Sequence, residues 1–266
     1  MKVDSSNVFS LAKRKILVTG AAGHLGKAIC EYLVSDGATV FAVDIDDAGL
    51  KALDSLPGAI DSLVTLGVDL ANERDRVALG EMVREHTEHL DGAVFSAAFV
   101  GTSALDGWAV DFEYQTLGAW REAIEVNLIA PFHLTQIFEP LLKRGRNSSV
   151  VNIGSIYGSL APDWSLYEGT ALKNPSAYGA SKAGLAQLTR WLSAQLAPSV
   201  RVNTVSPGGI LRGQPREFVE RYIDKTPLRR MASESDVVPQ VAFLLSSAAS
   251  YITGQEVFVD GGFSSQ

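Results

Sequence analysis

A single cysteine, Cys30, is all the thiol this chain of 266 residues carries, so no disulfide can form within it. It sits in an apolar helical stretch and reads as a small core residue. No apolar run approaches the roughly 20 residues that a bilayer span requires. Met1 to Ser10 also lacks the apolar centre of a secretory leader. Positive charge is in short supply: the net charge of −7 argues against nonspecific binding to nucleic acid or to an acidic membrane surface. There is no internal repeat, low-complexity tract or interdomain linker, and no metal site is expected. A cytoplasmic protein with a short N-terminal arm (1–12) and one domain (13–266) is what these absences leave.

The hydrophobic fraction of 46% and the charged fraction of 20% supply an ample core for one α/β domain. Apolar strand candidates recur at 15–19, 39–43, 62–68, 92–97, 149–153, 200–205 and 256–259. Helical segments separate them, among them Glu73–His89, Ala119–Leu142, Ser176–Leu196 and Ser235–Ser246. Alternation of this kind predicts a doubly wound, Rossmann-like parallel sheet of seven strands with helices on both faces. Ligands of such sheets bind beyond the carboxyl ends of the strands.

Lys15 to Val18 reads as a short buried strand, and Thr19-Gly20-Ala21-Ala22-Gly23-His24-Leu25-Gly26 follows at once. An amphipathic helix comes next, from Leu25 to Val34. Strand, glycine-rich turn and helix in that order present backbone N–H groups and a helix N-terminus to a pyrophosphate. Gly20 permits the tight turn, Gly23 close approach of a ligand, and Gly26 packing of helix on strand. A sharp βα turn with no ligand is the plainer reading of glycines taken alone. The next strand ends in Asp44, eighteen residues after Gly26, where an acid can accept the adenosine ribose hydroxyls and repel a 2′-phosphate. No arginine occupies the turn or follows Asp44 directly, which favours NAD over NADP.

Tyr178-Gly179-Ala180-Ser181-Lys182 sets a phenol and an ammonium one helical turn apart on the same face. A free tyrosine, with a pKa near ~10, is a poor base at neutral pH. A neighbouring cation favours the phenolate and brings proton exchange with a hydroxyl within reach. Alone, the pair reads as a half-buried tyrosine beside a solvated lysine.

Together with Asp69, Asn127, Ser155, Pro207-Gly208 and the ending Tyr251 to Gly262, these motifs stand in a fixed order. In that order the chain resembles the single-domain branch of the short-chain dehydrogenase/reductase family, from about Lys13 to Phe263. The resemblance implies an oxidoreductase that passes hydride between a secondary alcohol or ketone and NAD, with NADP the lesser choice. Tyr178 would exchange the substrate proton, and Ser155 would bond the substrate oxygen. Lys182 would lower the tyrosine pKa and bind the nicotinamide ribose. Asn127 would bend its helix and hold a proton-relaying water; a polar residue bonding locally is its other reading. Asp69 resembles the position that meets the adenine amino group, with a helix-N-terminal acid as the competing reading. Leu25, Pro207, Gly208 and Ile210 complete the implied cofactor contacts, and His24 either joins them at the phosphates or faces solvent. A homotetramer or homodimer is also implied, built on the long helices carrying Trp120, Phe132, Phe138 and Trp191, although core packing would explain those aromatics equally.

Several positions depart from the family pattern. His24 stands where a glycine is usual, and Phe95-Ser96-Ala97-Ala98 replaces an asparagine-rich stretch. No threonine follows Pro207-Gly208; Arg212 stands near its place, as a loop arginine or as a contact to an anionic substrate or to phosphates. The largest departure is the interval of 22 residues between Ser155 and Tyr178, which must loop over or beside the substrate. Its Trp164 and Tyr167, among several hydrogen-bonding groups, suit a sugar, a sugar phosphate or a polyol, and so carbohydrate metabolism. Its wording also resembles members associated with bacterial surface-glycan and nonulosonate sugars. Packing on a neighbour or a subunit is the plain alternative for loop 156–177. The lid, 208–230, carries Arg212, Arg216, Arg221, Arg229, Arg230 and Lys225, which suggests an anionic substrate, while Glu217, Glu220 and Asp224 allow ordinary ion pairs instead. Two other functions share these motifs: sensing of NAD or binding of a partner without turnover, and sugar epimerase or dehydratase chemistry.

Overall fold

Seven short strands run parallel: β1 (Lys15–Thr19), β2 (Thr39–Asp44), β3 (Leu63–Gly67), β4 (Gly92–Phe95), β5 (Ser148–Ile153), β6 (Val200–Pro207) and β7 (Glu256–Val259). Their spatial order is β3-β2-β1-β4-β5-β6-β7 in the computed structural model, which describes residues 8–101 and 103–265. Strands buried on both faces have no solvent side to mark with polar residues, hence runs such as Ile16-Leu17-Val18.

Each strand divides its side chains between two layers. Ile16, Val18, Val40, Val94 and Val151 face helices α1 (His24–Ser35) and α9 (Glu234–Leu245), where Ile29, Leu33, Val237 and Val241 meet them. Leu17, Phe41, Ala93 and Val150 face the other way, toward α4 (Glu73–His86), α6 (Ala130–Leu142) and α7 (Ser176–Leu196). Short helices α2 (Asp47–Leu53), α3 (Ala59–Ser62), α5 (Leu117–Ile124) and α8 (Arg216–Lys225) complete the chain. Cys30 is buried in the first layer, its thiol pushed up to about 12 by that burial, which makes it an inert core residue.

The strand order turns at β1. The chain runs outward through β2 and β3, then crosses back to lay β4 on the other side of β1. The helices on either side of that point lie on opposite faces and leave a crevice beyond the carboxyl ends of β1 and β4.

Three sequence readings change in detail. β4 ends at Phe95 rather than at 97, because the Ser96 and Ala97 N–H groups turn to the Thr19 hydroxyl, at 3.2 and 3.3 Å. The helix expected over 119–142 is α5, a π turn (Glu125–Ile129) and α6. Phe138, read as a candidate for subunit contact, is fully buried against the sheet, whereas Trp191 is 55% exposed. The N-terminal arm is only partly described, since residues 1–7 lie outside the described residues. Residues 8–12 pack on the body: Leu11 is buried and donates to Asp36, and Val8 accepts the Ala248 N–H at 2.9 Å.

Candidate active site

The crevice is built first by glycine. A Cβ on Gly26 would stand 1.9 Å from the Gly20 carbonyl oxygen, so only glycine lets α1 lie against the turn. Gly20 has φ +68°, and a Cβ there would reach within 2.7 Å of the Ala97 nitrogen. Gly23 is exposed, with ordinary extended φ, and faces the opening. The three glycines therefore serve packing, conformation and ligand approach in turn.

A cleft of ≈ 400 Å³ opens here, walled by Gly20, Gly23, Asp44, Asp69, the segment Ser96 to Phe99, and Val126. Asp44 is fixed at the end of β2: its carboxylate accepts the Ala22 N–H at 2.9 Å and the Asp46 N–H at 3.0 Å. Two acceptors used out of about four leave capacity for a diol. Asp69 lines the same cleft while accepting the Ala71 N–H at 2.9 Å, and the capping of α4 falls to Asn72. Asp69 therefore borders the cleft, while the helix cap itself is Asn72. The wall of this cleft includes none of His24, Leu25, Gly26, Pro207, Gly208 and Ile210 among the described residues. His24 opens α1 at the surface, Leu25 is core, and Ile210 forms a bridge with Ala232.

Ser155, Tyr178 and Lys182 meet beside the crevice, where β5 ends and α7 begins. Ser155 is buried, and its hydroxyl accepts the Tyr157 N–H at 3.2 Å. The Tyr178 ring packs against a small cluster that includes Trp108 and Ala177. Lys182 Nζ donates to the Ile153 carbonyl at 2.7 Å and lies 5.9 Å from the centre of the Tyr178 ring. Burial brings the Lys182 ammonium down to about 8. Burial pushes the Tyr178 phenol up, while the Ser155 hydroxyl and the Arg212 guanidinium oppose that rise. The net direction for Tyr178 is upward, against the lowering expected from Lys182, because loss of solvent outweighs the opposing groups.

Asn127 falls within the π turn and is 1% exposed. Its carbonyl accepts the Phe99 N–H at 2.8 Å, and its amide donates to the Phe99 oxygen at 3.2 Å and to Ser181 at 3.0 Å. The side chain therefore pins the segment after β4 to α7 and leaves no described bond toward Lys182. π turns of this kind recur at functional sites.

The interval between Ser155 and Tyr178 packs directly on α7. A Cβ on Gly158 would stand 2.9 Å from the Lys182 carbonyl carbon, and one on Gly179 would stand 2.9 Å from the Tyr157 oxygen. These two glycines, unmarked by sequence reasoning, fix the spacing between Ser155 and Tyr178. Trp164 and Tyr167 lie 5.7 Å apart, ring to ring, and Tyr167 meets Phe218 of α8 edge-on at 5.3 Å. Both line a second cavity of ≈ 360 Å³, together with Tyr157 and Asn174.

The cations of the lid are already engaged. Arg212 pairs with Glu234 at 2.9 Å, Arg216 with Glu220 at 2.6 Å, Arg229 with Asp224 at 3.5 Å and Arg230 with Asp236 at 2.7 Å. Lys225 pairs with Asp163, and Arg221 donates to the carbonyls of Ser165, Leu166 and Glu168. The arginine-rich lid thus binds the 156–177 loop and itself. Ordinary ion pairs and carbonyl contacts account for these cations, and Arg212 does not line the second cavity.

Comparison with known proteins follows the same outline. A family model described as enoyl-(acyl carrier protein) reductase matches residues 20–264. The 3-oxoacyl-[acyl-carrier-protein] reductase FabG of Thermotoga maritima is 32% identical over 258 residues, covering 92% of this chain and 96% of that protein. Among solved structures, a short chain dehydrogenase of Leptospira borgpetersenii with bound NAD+ superposes with a TM-score of 0.86 at 30% identity, covering 99% of this chain and 98% of that one. A structure described as short-chain dehydrogenase/reductase SDR: glucose/ribitol dehydrogenase, from Brucella melitensis, gives 0.79 at 30% identity over 96% and 98%. Another solved relative holds NADP.

Proposed function

Because the chain belongs to the short-chain dehydrogenase/reductase family, we propose that it moves hydride between NAD and a secondary alcohol or ketone on a sugar or polyol. The observation that carries this reading is the convergence of Ser155, Tyr178 and Lys182 beside a cleft that glycine keeps open. The glycine turn would hold the pyrophosphate of the dinucleotide, and Asp44 the adenosine ribose. Asp69 would border the adenine, and Lys182 would reach the nicotinamide ribose. When bound, the nicotinamide supplies the hydride acceptor or donor.

The residues of the chain do the rest. Tyr178, its phenol held protonated by burial, gives a proton to the carbonyl oxygen in reduction and takes it back in oxidation. Ser155 steadies the same oxygen as its charge changes. Asn127 holds the segment after β4 in place, and so shapes the cleft through Phe99. Asp44, facing the ribose, favours NAD over NADP, since a 2′-phosphate would meet its carboxylate. The chain would act as a homotetramer or homodimer, with exposed Trp191 on α7 at a contact.

A second reading, reduction of an acyl-chain ketone, is favoured by the names of the matching family and of the Thermotoga relative. One experiment separates the two: NADH formation or loss at 340 nm with polyols, neutral sugars, sugar phosphates and 3-oxoacyl thioesters, each with both dinucleotides. Turnover of a polyol or sugar with NAD supports the proposal. Turnover confined to acyl thioesters, or to NADP, contradicts it.

A further inference from the structure

The second cavity, walled in part by Tyr157 and Gly179, has a hydrogen-bond inventory that selects among these substrates. Tyr157 and Tyr167 share one bond at 2.8 Å between their phenolic oxygens, and the Asn174 amide donates to Tyr167 at 3.1 Å. Two phenolic protons enter this relay and the shared bond uses one. Whichever ring donates, one O–H is left over, because Tyr167 already accepts from Asn174. The amide keeps a second N–H, and the Asn174 carbonyl oxygen enters none of the described hydrogen bonds. The surplus is two donors, with the Asn174 carbonyl oxygen and the unused phenolic lone pairs as acceptors, all uncharged. Burial and the adjoining phenol push Tyr157 far up, which keeps its proton in place.

The rest of the wall is largely apolar, and its polar Gln115 and Ser176 are bonded to one another. Trp164 is 59% exposed and Phe112 84% exposed, and both border the cavity. Lys173, a cation on this wall, is held by Asp111. Tyr157 is two residues from Ser155, and Ser176 and Gly179, also on the wall, flank Tyr178.

We propose that this cavity is the recognition subsite for the non-reacting part of the substrate, and that the Tyr157–Tyr167–Asn174 relay makes it select a vicinal diol of a neutral sugar or polyol. A diol both donates and accepts, so it can satisfy these surplus groups, while its C–H faces lie on the aromatic rings. A phosphate or carboxylate accepts only, and would set its charge against the Asn174 oxygen. An acyl chain would leave these groups unpaired in a desolvated pocket. The inference rests on the proposed function for its reacting oxygen, but not for its binding chemistry.

The test is calorimetric titration of the protein, with and without NADH, using a linear pentitol, a neutral aldopyranose, the phosphate ester of each, and a six-carbon monoalcohol. Wild type, Tyr167→Phe and Asn174→Leu are compared, with NADH affinity and melting temperature confirming the fold of each. The expected result is polyol or sugar binding that weakens at least about tenfold in both variants, equivalent to ~1.4 kcal/mol. The phosphate esters and the monoalcohol should bind more weakly than the neutral polyhydroxyl compounds in wild type. Preferred binding of the phosphate esters, no binding of any polyol or sugar, or a change under twofold in the well-folded Tyr167→Phe variant overturns the subsite. Polyol binding lost in the variants, with no oxidation by wild type, upholds the subsite and removes the oxidoreductase reading instead.

Discussion

The Lys182 ammonium stands 5.9 Å from the centre of the Tyr178 ring, and is held there by the Ile153 carbonyl at 2.7 Å. Burial drives the pKa values of the two groups apart, the lysine down to about 8 and the tyrosine up from its ordinary value. A buried ammonium and a protonated phenol within one helical turn form a proton-donating pair at neutral pH. The arrangement is costly for folding, and cost of that kind concentrates at functional sites.

That cost can be measured. The folded-state pKa of Lys182 lies below its unfolded value, so the unfolded chain binds more protons between about 8 and about 10.4, and stability contributed by this group rises with pH across that window. Lys182→Met should therefore stabilise the protein at pH 7 by about 1 to 2 kcal/mol, after subtracting the lost bond to Ile153. The gain should shrink toward pH 10, while turnover is lost. Denaturant midpoints at pH 7 and pH 10 check it.

The glycine turn separates folding from binding. Gly26→Ala forces a methyl to within 1.9 Å of the Gly20 oxygen, and should cost about 3 kcal/mol or more along with all dinucleotide binding. Gly23→Ala meets only the Gly20 oxygen at 3.2 Å, with a φ that alanine accepts. It should hold stability within about 1 kcal/mol and weaken NADH at least about tenfold. Melting curves and NADH fluorescence titration distinguish the two.

Asp44 carries the cofactor preference. Its carboxylate already accepts the Ala22 and Asp46 N–H groups, so Asp44→Asn keeps the size of the side chain but removes the charge that opposes a 2′-phosphate. The ratio of NADPH to NADH affinity should rise at least about tenfold. An unchanged ratio means that the carboxylate does not face the ribose.

Much of this was legible before any coordinates. Strands buried on both faces, such as β1, β2 and β4, are apolar through their centres and stand out as runs, and the glycine turn marks the crevice by its position after β1. The π turn at Asn127 is anticipated only through the family resemblance, which implies a bend there, because hydrophobic periodicity does not record one extra residue in a helical turn. Charge counting on the lid is incomplete for a related reason. It registers Lys225 and Arg221 as cations but not their partners, Asp163 and the carbonyls near Ser165, which folding brings from more than 50 residues away. Tyr157 and Asn174 were passed over because nothing in their sequence neighbourhood tells that Tyr167 stands between them. Trp164 and Tyr167 were singled out by composition alone, and the structure sets both on one cavity wall.

The central claim, that Tyr178 is the acid and base of a hydride transfer, is tested most directly by Tyr178→Phe. The measurement is steady-state turnover at 340 nm with the best polyol or sugar found, beside NADH affinity for the same preparation. The account predicts a loss of at least about a thousandfold in kcat, with NADH affinity within about threefold of wild type. Turnover that survives the substitution, or NADH binding that falls in step with it, would contradict the assignment.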